Sequence, residues 1–310
     1  MSLELFIARR IARSGPGNRP GVMVRIAVIA VALSVTVMIL ALAVIMGFKR
    51  EITDRVTGFS SQVEVADLRS AGSIESVPVL RSEQLERAIR SAGEVVRLAP
   101  YAVKGGVVKT PDAILGVMLK GVDGGYDWSF FRDHLLEGEL PRVGDSIRTK
   151  EILISRSVAR EMGLVPGDKV EMLFVESEKS PRRDRFKVSG IYATGMDEFD
   201  RSVAMTDLRN VQRLADWSSD EVSGYEVTLA DFSQAEDFSR RLNDMLLDSD
   251  REAFWDLTAR SAQERFPTVF DWLKTHDVNA AVILVIMVIV AVFNMATALL
   301  TLVLERTRMI

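Results

Sequence analysis

The chain has 310 residues, with 39 basic and 43 acidic side chains, a formal net charge of −4 and no cysteine. That balance argues against a basic nucleic-acid surface, and the missing cysteines exclude disulfides and thiolate chemistry. Apolar residues make up 48% of the chain and are unevenly placed, with long uncharged runs at 26–48 and 278–304.

In chain order, "MSLELFIARRIAR" (1–13) puts Leu3, Phe6, Ile7 and Ile11 on one helical face. This predicts an amphipathic helix lying on the inner membrane surface. "SGPGNRPG" then breaks the helix, so 1–21 reads as a cytoplasmic helix and linker. The run at 26–48 reaches roughly 35 Å as a helix at ~1.5 Å per residue, enough to cross a hydrocarbon core of ~30 Å. Ala41-Leu42-Ala43 resembles a signal-peptide cleavage site, but the apolar stretch continues through Met46 and Gly47. The segment 22–48 is therefore read as an uncleaved first span.

"KREITDRVTGF" prolongs that helix outward, with Ile52, Val56 and Phe59 on one face, and "SQVEVAD" alternates as a strand. "SEQLERAIRSAG" combines a Ser N-cap, an acidic first turn and a Gly stop, which predicts a short helix. Strands are expected at 95–98, 107–108 and 114–119, and a Gly-rich boundary at "KGVDGGYDWSFFRD". Beyond it, a strand at 151–154, a helix at 157–162 capped by Gly163, and a strand at 169–175 are predicted. "ESEKSPRRDR" (176–185) reads as a charged hairpin tip with "FKVSGIYA" as its return strand. "YEVTLAD" predicts a strand, "FSQAEDFSRRLNDMLLD" an amphipathic helix, and the chain turns helical after Pro267 into a second span at 278–304.

The expected fold class is α+β: a membrane protein whose two transmembrane helices flank a large two-part external domain. One part (121–222) is inserted into the other (49–120 with 223–277). Orientation follows from charge. Arg9, Arg10, Arg13, Arg19 and Arg25 outnumber Glu4 before the first span, and Arg306 and Arg308 outnumber Glu305 after the second. Arg-rich short flanks stay in the cytoplasm, so the acidic domain between the spans lies outside.

Catalytic and metal motifs are not found. His134 and His276 are far apart, and neither has the companion ligands a metal site needs. "GGVVKT" lacks the Gly that must precede the Lys of a phosphate loop, and there is no nucleophile elbow. The chain is read as a non-enzyme without a cofactor of its own. Asn294 stands near the middle of the second span, where an amide needs a partner. It is either a substrate or gate residue or glue between helices, with Ser34 and Thr36 as candidate partners.

Residues 268–310, with Phe293-Asn294-Met295 and the terminal "LERTRMI", resemble the second membrane helix of lipoprotein-releasing ABC transporter permeases of the LolC/LolE type. "ELFIARRIAR", the Gly47–Lys49 exit, "GELP", "EILIS" and "AREMGLVPGDKV" fit the same family in the same order. The resemblance implies four membrane helices with a periplasmic domain between the first two, made of a porter-like part (49–120 with 223–277) and an inserted β-rich part (121–222), and it reads this chain as an N-terminal portion. It also implies a second permease subunit, cytoplasmic ATPase subunits that bind the ATP, a lipoprotein substrate and a periplasmic chaperone. On that basis Glu305, Arg306, Thr307 and Arg308 begin the ATPase-coupling segment. Met287, Phe293 and Asn294 belong to the helix lining the substrate cavity, and Pro181, Arg182 and Arg183 to a chaperone-docking hairpin. The implied location is the bacterial inner membrane. Rival readings are an exporter or cell-division permease of the same mechanotransmitting class, and a two-span sensor with an external ligand domain.

Overall fold

The structure, a computed structural model, describes residues 22–70, 75–111, 113–144, 147–176, 179–249 and 252–307. The predicted surface helix at 1–13 and Arg308 lie outside these residues. Two units are distinguished: one made of the chain up to Ile52 and from Thr268 onward, the other of Thr53–Pro267.

The first unit holds the apolar parts of α1 (Val22–Ser60) and of a C-terminal helix (Pro267–Thr307). Both are long and apolar enough to span a bilayer. Their apolar side chains face outward, with Ile29 65% and Phe293 69% exposed. Surface of that kind, contiguous over many turns, is stable in lipid and unfavourable in water. Met38, Ala41, Leu42 and Ile45 meet Ala280, Ile283, Leu284 and Met287 along a narrow groove. Phe48 packs edge-on against Trp272 at 5.6 Å, and Lys49 Nζ reaches Asp277 Oδ2 at 2.5 Å.

The second unit is built on β1 (Val63–Asp67), β2 (Val79–Leu80), α2 (Glu83–Ser91), β3 (Val95–Lys109), β4 (Ile114–Val122), α3 (Ser129–Asp133), β5 (Leu135–Gly138) and β6 (Glu151–Ser155). There follow α4 (Arg156–Met162), β7 (Lys169–Glu176), β8 (Lys179–Tyr192), α5 (Asp197–Asp200), β9 (Val203–Asp207), α6 (Leu208–Ala215), β10 (Glu221–Val222) and β11 (Gly224–Leu229). The unit ends with α7 (Ala235–Leu247), α8 (Glu252–Trp255), β12 (Leu257–Ser261) and α9 (Ala262–Arg265), before the C-terminal helix α10 (Pro267–Thr307).

Strands β12-β1-β11-β3 are neighbours in that order, every pair antiparallel. With α2 after β1 and α7 after β11, this is the split β-α-β arrangement of a ferredoxin-like layer. Alternation along the strands explains its two faces. Val63, Val65, Tyr225, Val227, Leu229 and Ala259 pack with Leu85, Ile89, Phe238, Leu242 and Leu246 of the helices. Glu64, Tyr101, Glu226 and Arg260 occupy the intervening positions. The open edge of β12 is closed by Asn243, which donates to the Ala259 carbonyl at 2.9 Å and accepts the Ala259 amide at 2.7 Å.

β3 and β4 run on into a second assembly. β4 pairs with β9, β9 with β6, β6 with β8, and β7 pairs with both β8 and β3. The six strands β3-β4-β9-β6-β8-β7 therefore close into a ring, filled by side chains such as Leu119, Ile152, Met172, Phe174, Phe186 and Val188. The α+β class with two flanking membrane helices is thus as the sequence predicts. The expected strands at 95–98 and 107–108 are one strand of 15 residues. Gly106 is needed inside it: a Cβ there would lie 2.6 Å from the Phe174 ring.

Candidate functional site

The chain enters the second unit through the last turns of α1. The helix stops at Ser60 because Ser61 takes a left-handed conformation, φ 65°. Phe59 is buried against Phe199 at 4.6 Å and Phe131 at 6.0 Å. Gly58 lets Phe130 approach: a Cβ there would fall 2.3 Å from the ring. Arg55 Nη1 donates to the Thr194 carbonyl at 2.7 Å. The 194–200 loop is itself tied up by the Asp200 carboxylate, which accepts from the Thr194 and Gly195 amides and the Thr194 hydroxyl.

The chain leaves through β12 and α9. Ser261 and Glu264 form a reciprocal capping box, which fixes the single turn that carries Arg265. Arg265 Nη1 donates to the Ser60 carbonyl at 2.7 Å, while its Nε lies 3.1 Å from Glu64 Oε2. An Arg is suited to this because its rigid fork addresses two acceptors at once. Ser60 is the last residue of α1, where helix carbonyls lack partners and a cation is favoured. The Phe266 ring lies 5.3 Å from the guanidinium and 5.2 Å from Phe199.

Between these ties lies a cavity of about 570 Å³. It is lined by Glu64, Tyr101, Glu226 and Arg260 from the polar face of the four-stranded sheet and by Phe59, Phe199 and Phe266. Glu64 accepts from the Tyr101 hydroxyl and pairs with Arg260 at 3.3 Å as well as Arg265. Lys120 Nζ pairs with Glu226 Oε1 at 2.6 Å, and both side chains are 8% exposed. Burial would raise the Glu64 carboxyl, but Arg265, the Tyr101 hydroxyl, Arg260 and Lys120 outweigh it and hold it below its ordinary value. The Tyr101 hydroxyl is pushed well up, by burial first and the Glu64 charge second. The cations and anions neutralise each other in place, which suits a structural joint more than a reactive centre. His134, by contrast, has Nδ1 2.8 Å from the Phe130 carbonyl and its ring against Phe130.

The residues singled out from sequence are not assembled in one place. Met287 lies in the groove with α1, whereas Phe293 and Asn294, farther along α10, are exposed. The candidate partners Ser34 and Thr36 instead donate to the Ala30 and Ala32 carbonyls of their own helix. Glu305, Arg306 and Thr307 are the last residues of α10. The charged tip expected at 176–185 is shorter than predicted: β8 already begins at Lys179, so Pro181, Arg182 and Arg183 lie within a strand. The reason is a period-2 pattern running through charged residues. Arg183, Arg185 and Lys187 are exposed, while Asp184, Phe186 and Val188 are buried. Arg182 turns back to the Arg213 carbonyl and Asp216, and Arg183 and Arg185 lean on Glu171. Pro181 falls where the β7–β8 register shifts, a position that tolerates a missing amide.

The fold defines a protein with an α+β domain flanked in sequence by two helices long and apolar enough to cross a membrane. The profile of the MacB-like periplasmic core domain matches residues 26–245, and the chain belongs to that family. It is 26% identical over 294 residues to the lipoprotein-releasing system transmembrane protein LolC of Xylella fastidiosa, covering 90% of this chain and 65% of that protein. To LolC of Neisseria meningitidis it is 24% identical, over 98% of this chain and 72% of the relative. To LolE of Haemophilus influenzae it is 22% identical, over 74% and 56%. The chain thus spans less than two thirds of the length of the Xylella protein. Among solved structures it is similar to the periplasmic region of MacB from Actinobacillus actinomycetemcomitans, with a TM-score of 0.45, 13% identity, and 69% and 95% of the two chains covered. It is also similar to the extracellular domain of the ABC-type transporter YknZ from Gram-positive bacteria, with a TM-score of 0.41, 15% identity, and 64% and 100% covered.

Proposed function

We propose that this chain is part of a permease subunit of an ABC transporter that uses cytoplasmic ATP hydrolysis to release lipoproteins from the inner membrane toward the outer membrane. The observation that carries the reading is the extent of the similarity to LolC, which runs over 90% of the chain. In this reading the N-terminus is cytoplasmic and the domain is periplasmic. Its porter-like part is 49–120 with 223–277, and its inserted part is 121–222. A second permease subunit completes the membrane path, and a separate ATPase binds the nucleotide. The chain itself performs no chemistry.

Site roles follow from that reading. Glu305, Arg306, Thr307 and Arg308 face the ATPase. Met287, Phe293 and Asn294 contribute to the path taken by the lipoprotein. Arg182 and Arg183, with Pro181, flank a hairpin that meets a periplasmic chaperone. The test is purification of the full-length protein with its ATPase, reconstitution into vesicles with a lipoprotein, and measurement of ATP-dependent release to a chaperone. Release that requires ATP is expected. An assembly that hydrolyses ATP without releasing lipoprotein would overturn the reading. Charge reversal at Arg306 and Arg308 is expected to reduce ATPase association, and unchanged association would remove the role given to them.

A further inference from the structure

We propose that Arg265 is the positioning residue that couples the two chain entries of the external domain, so that movement of either membrane helix is passed to the sheet through its guanidinium. The inference rests on the permease reading above and names the device by which that function is carried across the domain.

Three observations converge on Arg265. It stands two residues before α10 begins at Pro267, and its Nη1 grips the final carbonyl of α1 at 2.7 Å. Its Nε holds Glu64, the second residue of β1, at 3.1 Å. One side chain, 14% exposed, therefore joins the end of one helix, the approach to the other and the first strand of the sheet. A second connection runs alongside it through Phe59, Phe199 and Phe266, with ring centroids 4.6 and 5.2 Å apart. Phe199 lies in α5, so this aromatic route also takes in the inserted segment. The Ser261–Glu264 capping box ties down the start of the turn that bears Arg265.

The geometry demands Arg. A Lys has a single ammonium on a flexible stem and reaches one acceptor with less orientation. Glu64 is also addressed by Arg260 at 3.3 Å and by the Tyr101 hydroxyl.

The experiment uses the full-length protein assembled with its ATPase in vesicles and reads two quantities, ATP hydrolysed and lipoprotein released. Arg265→Gln is expected to leave ATP hydrolysis within about twofold and to cut release per ATP by tenfold or more. Arg265→Lys is expected to recover an intermediate ratio. A merely structural role would lower the amount of assembled complex and leave the ratio of the remainder unchanged. If Arg265→Gln does not assemble, Arg265→Lys decides: a wild-type ratio overturns the proposal, and a reduced one supports it. A wild-type ratio in Arg265→Gln overturns the joint while leaving the permease reading intact. Failure of the wild-type assembly to release lipoprotein overturns the permease reading instead.

Discussion

Glu64 and Glu226 stand directly opposite each other on the adjacent antiparallel strands β1 and β11. Like charges at facing positions repel, and each is neutralised from its own side. Glu64 draws on Arg260 and Arg265 and Glu226 on Lys120. Lys120→Met leaves Glu226 buried without its cation and is expected to cost about 3–5 kcal/mol, the usual penalty for breaking one side of a buried pair. Lys120→Met combined with Glu226→Gln removes both charges and is expected to regain most of that. Denaturant unfolding of the three variants checks the order.

Ser61 holds a left-handed backbone conformation at the stop of α1, φ 65°. A residue with a Cβ is strained there by roughly 1–2 kcal/mol, and glycine is not. Ser61→Gly is expected to raise stability by about 1 kcal/mol, and Ser61→Val to lower it, in thermal unfolding followed by tryptophan fluorescence.

Gly224 of β11 faces Ala66 of β1, and a Cβ there would lie 2.2 Å from the Val65 carbonyl oxygen. That oxygen belongs to the backbone and cannot swing away. Gly224→Ala is expected to destabilise by about 1–3 kcal/mol through overpacking. A transition at the wild-type denaturant midpoint would show that the strand shifts at no cost.

Acid should loosen the ring of strands. Burial raises the Asp184 carboxyl, but Lys150, the Arg185 amide and Arg213 together bring it below the ordinary 3.8. A depressed folded value means that stability is present above the unfolded value and is lost as pH falls through the folded one. Asp207, held down by Arg209 and the Gly144 amide against its burial, has the same sign. The melting temperature is therefore expected to fall on acidification below about pH 4. Asp184→Asn should flatten that part of the profile, and an unchanged slope would remove Asp184 from the account.

Much of the architecture was legible because it rests on local signals. Ser82 caps α2 as predicted, its hydroxyl accepting the Leu85 amide at 3.1 Å. Gly163 ends α4 in a left-handed conformation. Long uncharged runs betrayed both membrane helices. What stayed hidden depends on distance along the chain. Arg265 and Ser60 are 205 positions apart, and Lys120 and Glu226 are 106 apart. Nothing in the local pattern around Arg265 distinguishes it from a solvated cation. β8 was missed at its start for a different reason: charged residues at Arg182, Arg183 and Arg185 mask an alternation that hydropathy alone cannot register.

The register of β1 against β12 has a mechanical consequence. Val63 faces Ser261 at one end of the ladder and Asp67 faces Leu257 at the other. Both chain connections leave from the Val63–Ser261 end, one through Ser60 and one through Arg265. A force drawing those connections apart would load the rungs one after another, as a zipper is opened, instead of sharing the load among them. The Arg265–Ser60 bond lies ahead of the first rung and takes the strain before it. Pulling on the two connections with single-molecule tweezers should therefore show an early, low-force event that disappears in Arg265→Gln.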